Sequence, residues 1–241
     1  MAELVYRPVI GLALSLFKAW DLKIDLQGTE NIPRAGGAVL ASNHISYLDF
    51  IFDGYAARPR KRLVRFMAKD SVFRHRISGP LMRGMRHIPV DRRKGDAAYA
   101  HALDSLRSGE VVGIFPEATI SQSFCLKEFK KGAARLAQES GVPLIPMALW
   151  GTQRLWTKGH KRDFSRSHTP VTIRVGEPID TSEGTAEELT VRLRDRVQVL
   201  LEAAQRDYPD KPSGPEDSWW LPAHLGGTAP TVEEVARREQ H

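Results

Sequence analysis

Short apolar runs alternate along the chain with stretches whose apolar residues recur every three or four positions, and the two periods predict different elements. Lys23–Leu26, Ala38–Ala41, Leu63–Met67, His87–Val90, Val111–Phe115, Leu144–Leu149 and Val171–Val175 read as strands. Several of them are apolar at every position, as strands covered on both faces are. Between them lie helical patterns. "DAAYAHALDSLRSG" runs from a cap at Asp96 to a stop at Gly109, and "EFKKGAARLAQESG" closes at Gly141 with Pro143 just beyond. Thr185 and Glu188 form a capping-box pattern ahead of Leu189, Leu193, Val197, Leu200 and Leu201, which predicts a long helix to about Gln205. The alternation predicts an α/β fold: a single domain, residues 23–206, with a mostly parallel central sheet flanked by helices.

The two ends behave differently. Near the N-terminus the uncharged run from Pro8 to Phe17 is ten residues long, half of the roughly 20 that a spanning helix needs. No clear small-residue cleavage site follows it. Pro8 suits the first turn of a helix, and Val9, Leu12, Leu16 and Trp20 recur at helical spacing with Arg7 and Lys18 at the margins. Residues 1–22 are therefore expected to form an N-terminal amphipathic, membrane-associating helix. The same letters also describe a helix packed on the domain's own core. Residues 207–241, rich in Pro, Gly and Ser, read as an irregular tail. In it Trp219 and Trp220 either dock on the body or sit at a membrane interface, and docking needs no second partner.

Charged residues make up 27% of the 241 and hydrophobic ones 41%, a globular composition. The net charge of +6 calls for an anionic partner: nucleic acid, a phosphorylated small molecule or an anionic lipid surface. Residues 58–94 hold 13 Lys or Arg against two Asp, a net +11, which leaves −5 for the other 204 residues. These cations are interleaved with Leu63, Val64, Phe66, Met67, Val72, Phe73, Leu81 and Met82, which suits a surface meeting anionic headgroups and acyl chains. There is no zinc-finger spacing, RNA-binding strand signature or helix-turn-helix, so nucleic acid is not expected as a partner. The single cysteine, Cys125, allows neither an intrachain disulfide nor a cysteine metal cluster, and nothing near it would lower its thiol pKa.

The segment "VLASNHISYLDF" sets His44 and Asp49 five positions apart. Ser46 and Asp49 fit a capping box that starts a helix over Tyr47–Ala56. The same geometry turns the carboxylate back toward His44, where it would hold one ring nitrogen and leave the other as a base. "VVGIFPEATI" then runs a strand into Glu117 and Thr119, placing an acid and a hydroxyl at the carboxyl end of a strand, where open α/β sheets bind ligands. Lys130, Lys131 and Gly132 lie near a helix start, as an anion site requires, although no P-loop pattern is present.

Together these segments resemble the glycerolipid acyltransferases of the 1-acylglycerol-3-phosphate acyltransferase type. Four ordered motifs carry the likeness: "NHISYLD", "GMRHIPVDR", "FPEATI" and "VPLIPMAL", with "FK" ahead of Lys131. It covers roughly residues 25–175. The resemblance implies transfer of an acyl group from a coenzyme A or acyl-carrier-protein thioester to a lysophospholipid hydroxyl, with no bound cofactor or metal, by direct attack rather than through an acyl-enzyme. It implies His44 as general base and Asp49 as its orienter. Arg92 and Lys130 would face the acceptor's phosphate, with Lys131 nearby, and Glu117 and Thr119 would shape the acceptor pocket. It also implies a peripheral protein on the cytoplasmic face of a membrane. Two positions depart from the family pattern. Ala118 stands where glycine is usual, a modest change if φ is negative there, and Ile120 stands where arginine is usual, removing one cation. Another lipid acceptor, a glycolipid or a different lysophospholipid, fits the same motifs, as does a non-catalytic lipid-binding adaptor on this scaffold.

Overall fold

The computed structural model describes residues 2–91 and 95–239. Among these residues seven strands form: β1 (Lys23–Gln27), β2 (Ala38–Ser42), β3 (Val64–Lys69), β4 (Ile88–Val90), β5 (Val111–Ile114), β6 (Leu144–Trp150) and β7 (Pro170–Val175). They make one sheet in the order β1-β7-β6-β2-β5-β3-β4, in which every neighbouring pair is parallel except β6 with β7. Every residue of β2, β6 and β7 is buried, whereas edge strand β1 alternates, keeping Lys23, Asp25 and Gln27 outward. The continuous apolar runs are thus the inner strands, covered on both faces.

Among the described residues eight helices accompany the sheet: α1 (Ala2–Ala19), α2 (Asp49–Ala57), α3 (Asp70–Arg74), α4 (Ser78–Gly84), α5 (Gly95–Arg107), α6 (Gly132–Ser140), α7 (Ala186–Arg206) and α8 (Val232–Glu239). Strand parity divides the core into two layers. Val39, Ala41 and Val112 pack with Leu136, Leu193, Val197 and Leu201 from α6 and α7 on one face. Leu40, Val64 and Ile145 pack with Phe52 and Phe17 from α2 and α1 on the other. The α7 capping box forms with both halves present, Thr185 and Glu188 each serving the other's backbone N–H. At the far end of α6, Gly141 takes the left-handed turn (φ 65°) that ends the helix.

Helix α1 corrects the expectation in two respects. It starts six residues before Pro8, which lies inside it, and the stripe Val9, Leu12, Leu16 and Trp20 divides, Val9 and Trp20 packing partly on the body while Leu12 and Leu16 stay exposed. Tyr6 and Phe17 are buried, with Val9, Ile10 and Leu14 partly so, while Leu12 is 61% and Leu16 38% exposed. Contact with the body, rather than spacing alone, decides which apolar side chains pack. Phe17 stacks on Phe52 of α2 with ring centroids 4.8 Å apart, and the Tyr6 hydroxyl donates to the Val64 carbonyl at 2.6 Å. No helix of the described residues is long and apolar enough to cross a membrane.

Residues 207–239 are also more ordered than their composition predicts. They form 3-10 turns at Pro215–Trp220 and Ala223–Leu225 and end in α8. Thr231 and Glu234 exchange backbone and side-chain hydrogen bonds at its start, a capping box hidden among prolines and glycines. Trp220 docks, at 1% exposure.

Candidate active site

The parallel strands β2 and β5 and their neighbour β6 end on the same edge, and the loops leaving them meet there. Asn43 continues β2 by side chain rather than backbone: its amide donates to the Leu149 carbonyl (3.0 Å) and accepts from the Leu149 N–H (2.7 Å). His44 therefore leaves the sheet where β2 is still tied to β6. Its own backbone is held on both sides by the loop after β5. The His44 N–H donates to Glu117 Oε1 at 2.8 Å, and the Ser121 N–H donates to the His44 carbonyl at 2.7 Å. Its ring lies on Phe115 with centroids 4.1 Å apart.

The His44 Nδ1 sits 2.9 Å from Asp49 Oδ2. That same oxygen accepts the backbone N–H groups of Ile45 and Ser46, both at 2.7 Å. The carboxylate thus caps its own turn and holds the imidazole at once. Helix α2 begins at Asp49 rather than Tyr47 because the Ser46 hydroxyl is spent elsewhere, donating to the Trp156 carbonyl at 2.7 Å and accepting from the Leu48 N–H at 3.1 Å. Asp49 is fully buried, while the His44 side chain keeps 19% of its surface open. With Nδ1 on the carboxylate, Nε2 is the nitrogen left for a reacting group.

One turn further along α2, Asp53 is also buried, and accepts from the Ser42 hydroxyl at 2.7 Å. Burial, then the nearby charge of Asp49, push its carboxyl well above the usual range, with only the Ser42 bond opposing.

The other expected residues divide. Glu117 is buried and gives both oxygens to backbone, Oε1 to His44 and Oε2 to the Lys127 N–H at 3.0 Å. Even so, burial outweighs those two donors and raises its pKa to about 7. Thr119 accepts from Lys127 Nζ at 2.9 Å. The Lys130 side chain is exposed, and its backbone N–H closes the loop on the Pro116 carbonyl at 2.9 Å. Lys131 is engaged by Glu187 in the first turn of α7, so its ammonium is paired rather than open to an anion. Arg92 lies outside the described residues. Cys125 is half-buried, 3.6 Å from His224 Nδ1, and burial raises its thiol pKa. Lys127, with Lys130 and Lys131, is expected to compensate for the arginine absent at Ile120; Asn43, Phe115 and Thr152, whose hydroxyl reaches Asp49, were not part of the expected site. For Asn43 and Phe115 the signal was adjacency to the motifs, while Thr152 is 103 positions from its partner.

Ala118 has φ 60°, so the condition attached to a negative φ is not met. A Cβ in the left-handed region costs about 1–2 kcal/mol, against the 0.5–1 kcal/mol or so by which glycine's freedom favours the unfolded chain. Ala118→Gly is expected to stabilise the protein by about 0.5–1 kcal/mol in urea unfolding, and a less stable variant would contradict the strain. Ile120 is buried at 7% exposure, where the motif's usual arginine would have to find room.

Comparison with known proteins bears on the fold and the family. The family described as Acyltransferase matches residues 23–150. The 1-acyl-sn-glycerol-3-phosphate acyltransferase of Borreliella burgdorferi is 32% identical over 79% of this chain and 76% of its own length. That of Limnanthes douglasii is 30% identical over 81% of this chain and 67% of its own. The crystal structure of the 1-acyl-sn-glycerophosphate (LPA) acyltransferase PlsC from Thermotoga maritima superposes with a TM-score of 0.65 at 22% identity, covering 81% of this chain and 80% of the other, and shares the fold. Motif order, sheet edge and matched length converge, and the chain belongs to the acyltransferase family.

Proposed function

We propose that the protein moves a fatty acyl group from an acyl-coenzyme A or acyl-carrier-protein thioester to the free hydroxyl of a lysophospholipid, with 1-acylglycerol-3-phosphate as acceptor and phosphatidic acid as product. The names of its relatives support the acceptor. The observation that carries the chemistry is the His44 Nδ1–Asp49 contact, which turns Nε2 outward at a partly open position. In this reading Nε2 takes the hydroxyl proton as the acceptor oxygen attacks the thioester carbonyl, and Asp49 stabilises the imidazolium that forms. Collapse of the tetrahedral intermediate breaks the C–S bond, and the imidazolium returns its proton to the departing thiolate sulfur, releasing the free thiol. Lys127, braced on Thr119, and the exposed Lys130 are assigned to the acceptor's phosphate. Glu117 is assigned to the wall of the pocket, holding His44 in place rather than touching substrate.

We also propose that the protein works peripherally on the cytoplasmic face of a membrane. Leu4, Leu12 and Leu16 on α1 and Val72, Ile77 and Leu81 across α3 and α4 are exposed, within or beside the strongly basic segment. Helices α1 and α4 pack together, with Val5 seated over Gly84, where an added Cβ would come within 2.9 Å of it. Apolar side chains among cations favour an anionic lipid surface.

One experiment addresses both parts. Pure protein is mixed with phosphatidylglycerol vesicles carrying 1-acylglycerol-3-phosphate and an acyl-coenzyme A, and products are followed by mass spectrometry. One added acyl chain per released thiol is expected, and no product across a panel of lysolipids would overturn the activity. Leu12→Asp combined with Ile77→Asp is expected to leave the vesicle pellet, because about 1.5–3 kcal/mol accompanies each apolar side chain buried, while still acylating a micellar acceptor. Unchanged pelleting would remove these residues from the membrane face.

A further inference from the structure

We infer that Thr152 is a positioning residue for the His44–Asp49 pair, and that the C-terminal strap, residues 207–239, holds the turn that carries it. This rests on the catalytic reading of that pair. Thr152 opens a 3-10 turn, Thr152–Arg154, directly after β6. Its hydroxyl donates to Asp49 Oδ1 at 2.6 Å, and both residues are fully buried. Oδ2 already takes three donors from His44, Ile45 and Ser46. Thr152 supplies the donor on the other oxygen. It therefore fixes the rotation of the carboxylate, and by drawing charge toward Oδ1 it limits how strongly Oδ2 can hold an imidazolium. The remaining titratable groups around the pair are Asp53 on α2, whose carboxyl burial pushes well above its usual range, and Glu117 on the loop after β5, whose far oxygen accepts the Lys127 backbone N–H.

The seat of the turn is made by the strap. Gly151 adopts φ 94°, and an added Cβ there would lie 2.2 Å from the Pro170 carbonyl oxygen and 2.8 Å from the Tyr208 hydroxyl. Tyr208 in turn donates to Pro170 at 2.7 Å. Gln153 accepts from the Gly151 N–H at 2.9 Å and donates to the Trp220 carbonyl at 3.2 Å. Arg154 lies over the Trp220 ring, 4.7 Å from its centroid, and pairs with Asp210 at 2.6 Å. The threonine faces the site while its two neighbours are gripped from behind.

The test uses the full-length enzyme, with kcat and KM measured against pH on an acyl-coenzyme A and 1-acylglycerol-3-phosphate. Thr152→Val removes the donor at nearly constant volume, and Thr152→Ser restores it. The valine variant is expected to lose about 10- to 100-fold in kcat with KM little changed. The acid limb of its profile is expected to move to higher pH, because an Oδ2 carrying more charge stabilises the imidazolium. The serine variant is expected to recover most of kcat and the native limb. Arg154→Met, which loosens the strap and keeps the side-chain stem, is expected to show the same two changes at a few-fold level. A valine variant with native kcat and limb overturns the role of Thr152, as does a serine variant as damaged as valine, which would indicate shape alone. Native behaviour of Arg154→Met overturns the role of the strap. His44→Ala run alongside separates the two levels: if it stays active, the catalytic reading has failed, and not only this inference.

Discussion

His44→Ala is expected to lower kcat by at least about 100-fold, the lower range for a positioned general base, with only a small loss of stability. The small loss follows from the way the residue is held. Its backbone, not its ring, carries the bonds to Glu117 and Ser121; the ring stacks on Phe115 with a partly open face, and the Asp49 carboxylate it bonds keeps three other donors, Ile45, Ser46 and Thr152. Asp49→Asn makes a sharper companion. An asparagine keeps the shape: its oxygen accepts from the Ile45 and Ser46 amides, and its NH2 group donates to the Thr152 oxygen, which can accept. Charge is lost while geometry survives, so kcat should fall with little change in KM. Rates near wild type in folded His44→Ala protein would remove the catalytic assignment and leave Asp49 as a helix cap.

Glu117→Leu should destabilise the protein by an amount that depends strongly on pH. The substitution orphans the His44 and Lys127 amides, each at a cost of about 1–3 kcal/mol. Against this stands the cost of ionising a buried carboxyl. An unfolded Glu117 titrates near 4.5 and the folded one near 7, raised by burial. Between those values the folded state keeps a proton that the unfolded state has lost. Wild-type stability therefore falls as pH rises through this window and levels off above it, by roughly 3 kcal/mol in all. The leucine variant lacks that slope. Its deficit should be largest below about pH 4.5, the unfolded value, and shrink by roughly 3 kcal/mol toward pH 8. Urea unfolding of both proteins at several pH values measures the difference, and a deficit independent of pH would show that Glu117 is ionised throughout.

All seven strands were legible in the chain: the inner ones, covered on both faces, as unbroken apolar runs, and edge strand β1 by its alternation. The two short helices α3 and α4 were not: at five and seven residues they show barely one period, and α4 contains Pro80 and two glycines. One apolar stripe of α1 was visible, but the burial of Tyr6 and Phe17 is settled by Val64 and Phe52, residues far along the chain. In the site, the pairing of His44 with Asp49 could be read because both partners lie within one turn of each other. The engagement of Lys131 by Glu187 could not, since its partner is 56 positions away on α7. Ala118 carried no glycine to announce a left-handed backbone, and its positive φ appears only in the folded loop.

The central place of β2 has a kinetic side. Its two sheet partners, β5 and β6, begin more than 70 and 100 residues after it, so the pairings that bring Glu117 and Thr152 to the dyad close long loops and form late on general grounds. Helices and local turns gain nothing in chemistry until then. During refolding, helical signal should recover before acyl transfer does, and the first competent molecules should be those in which the amides of β2 and β6 are already protected from hydrogen exchange.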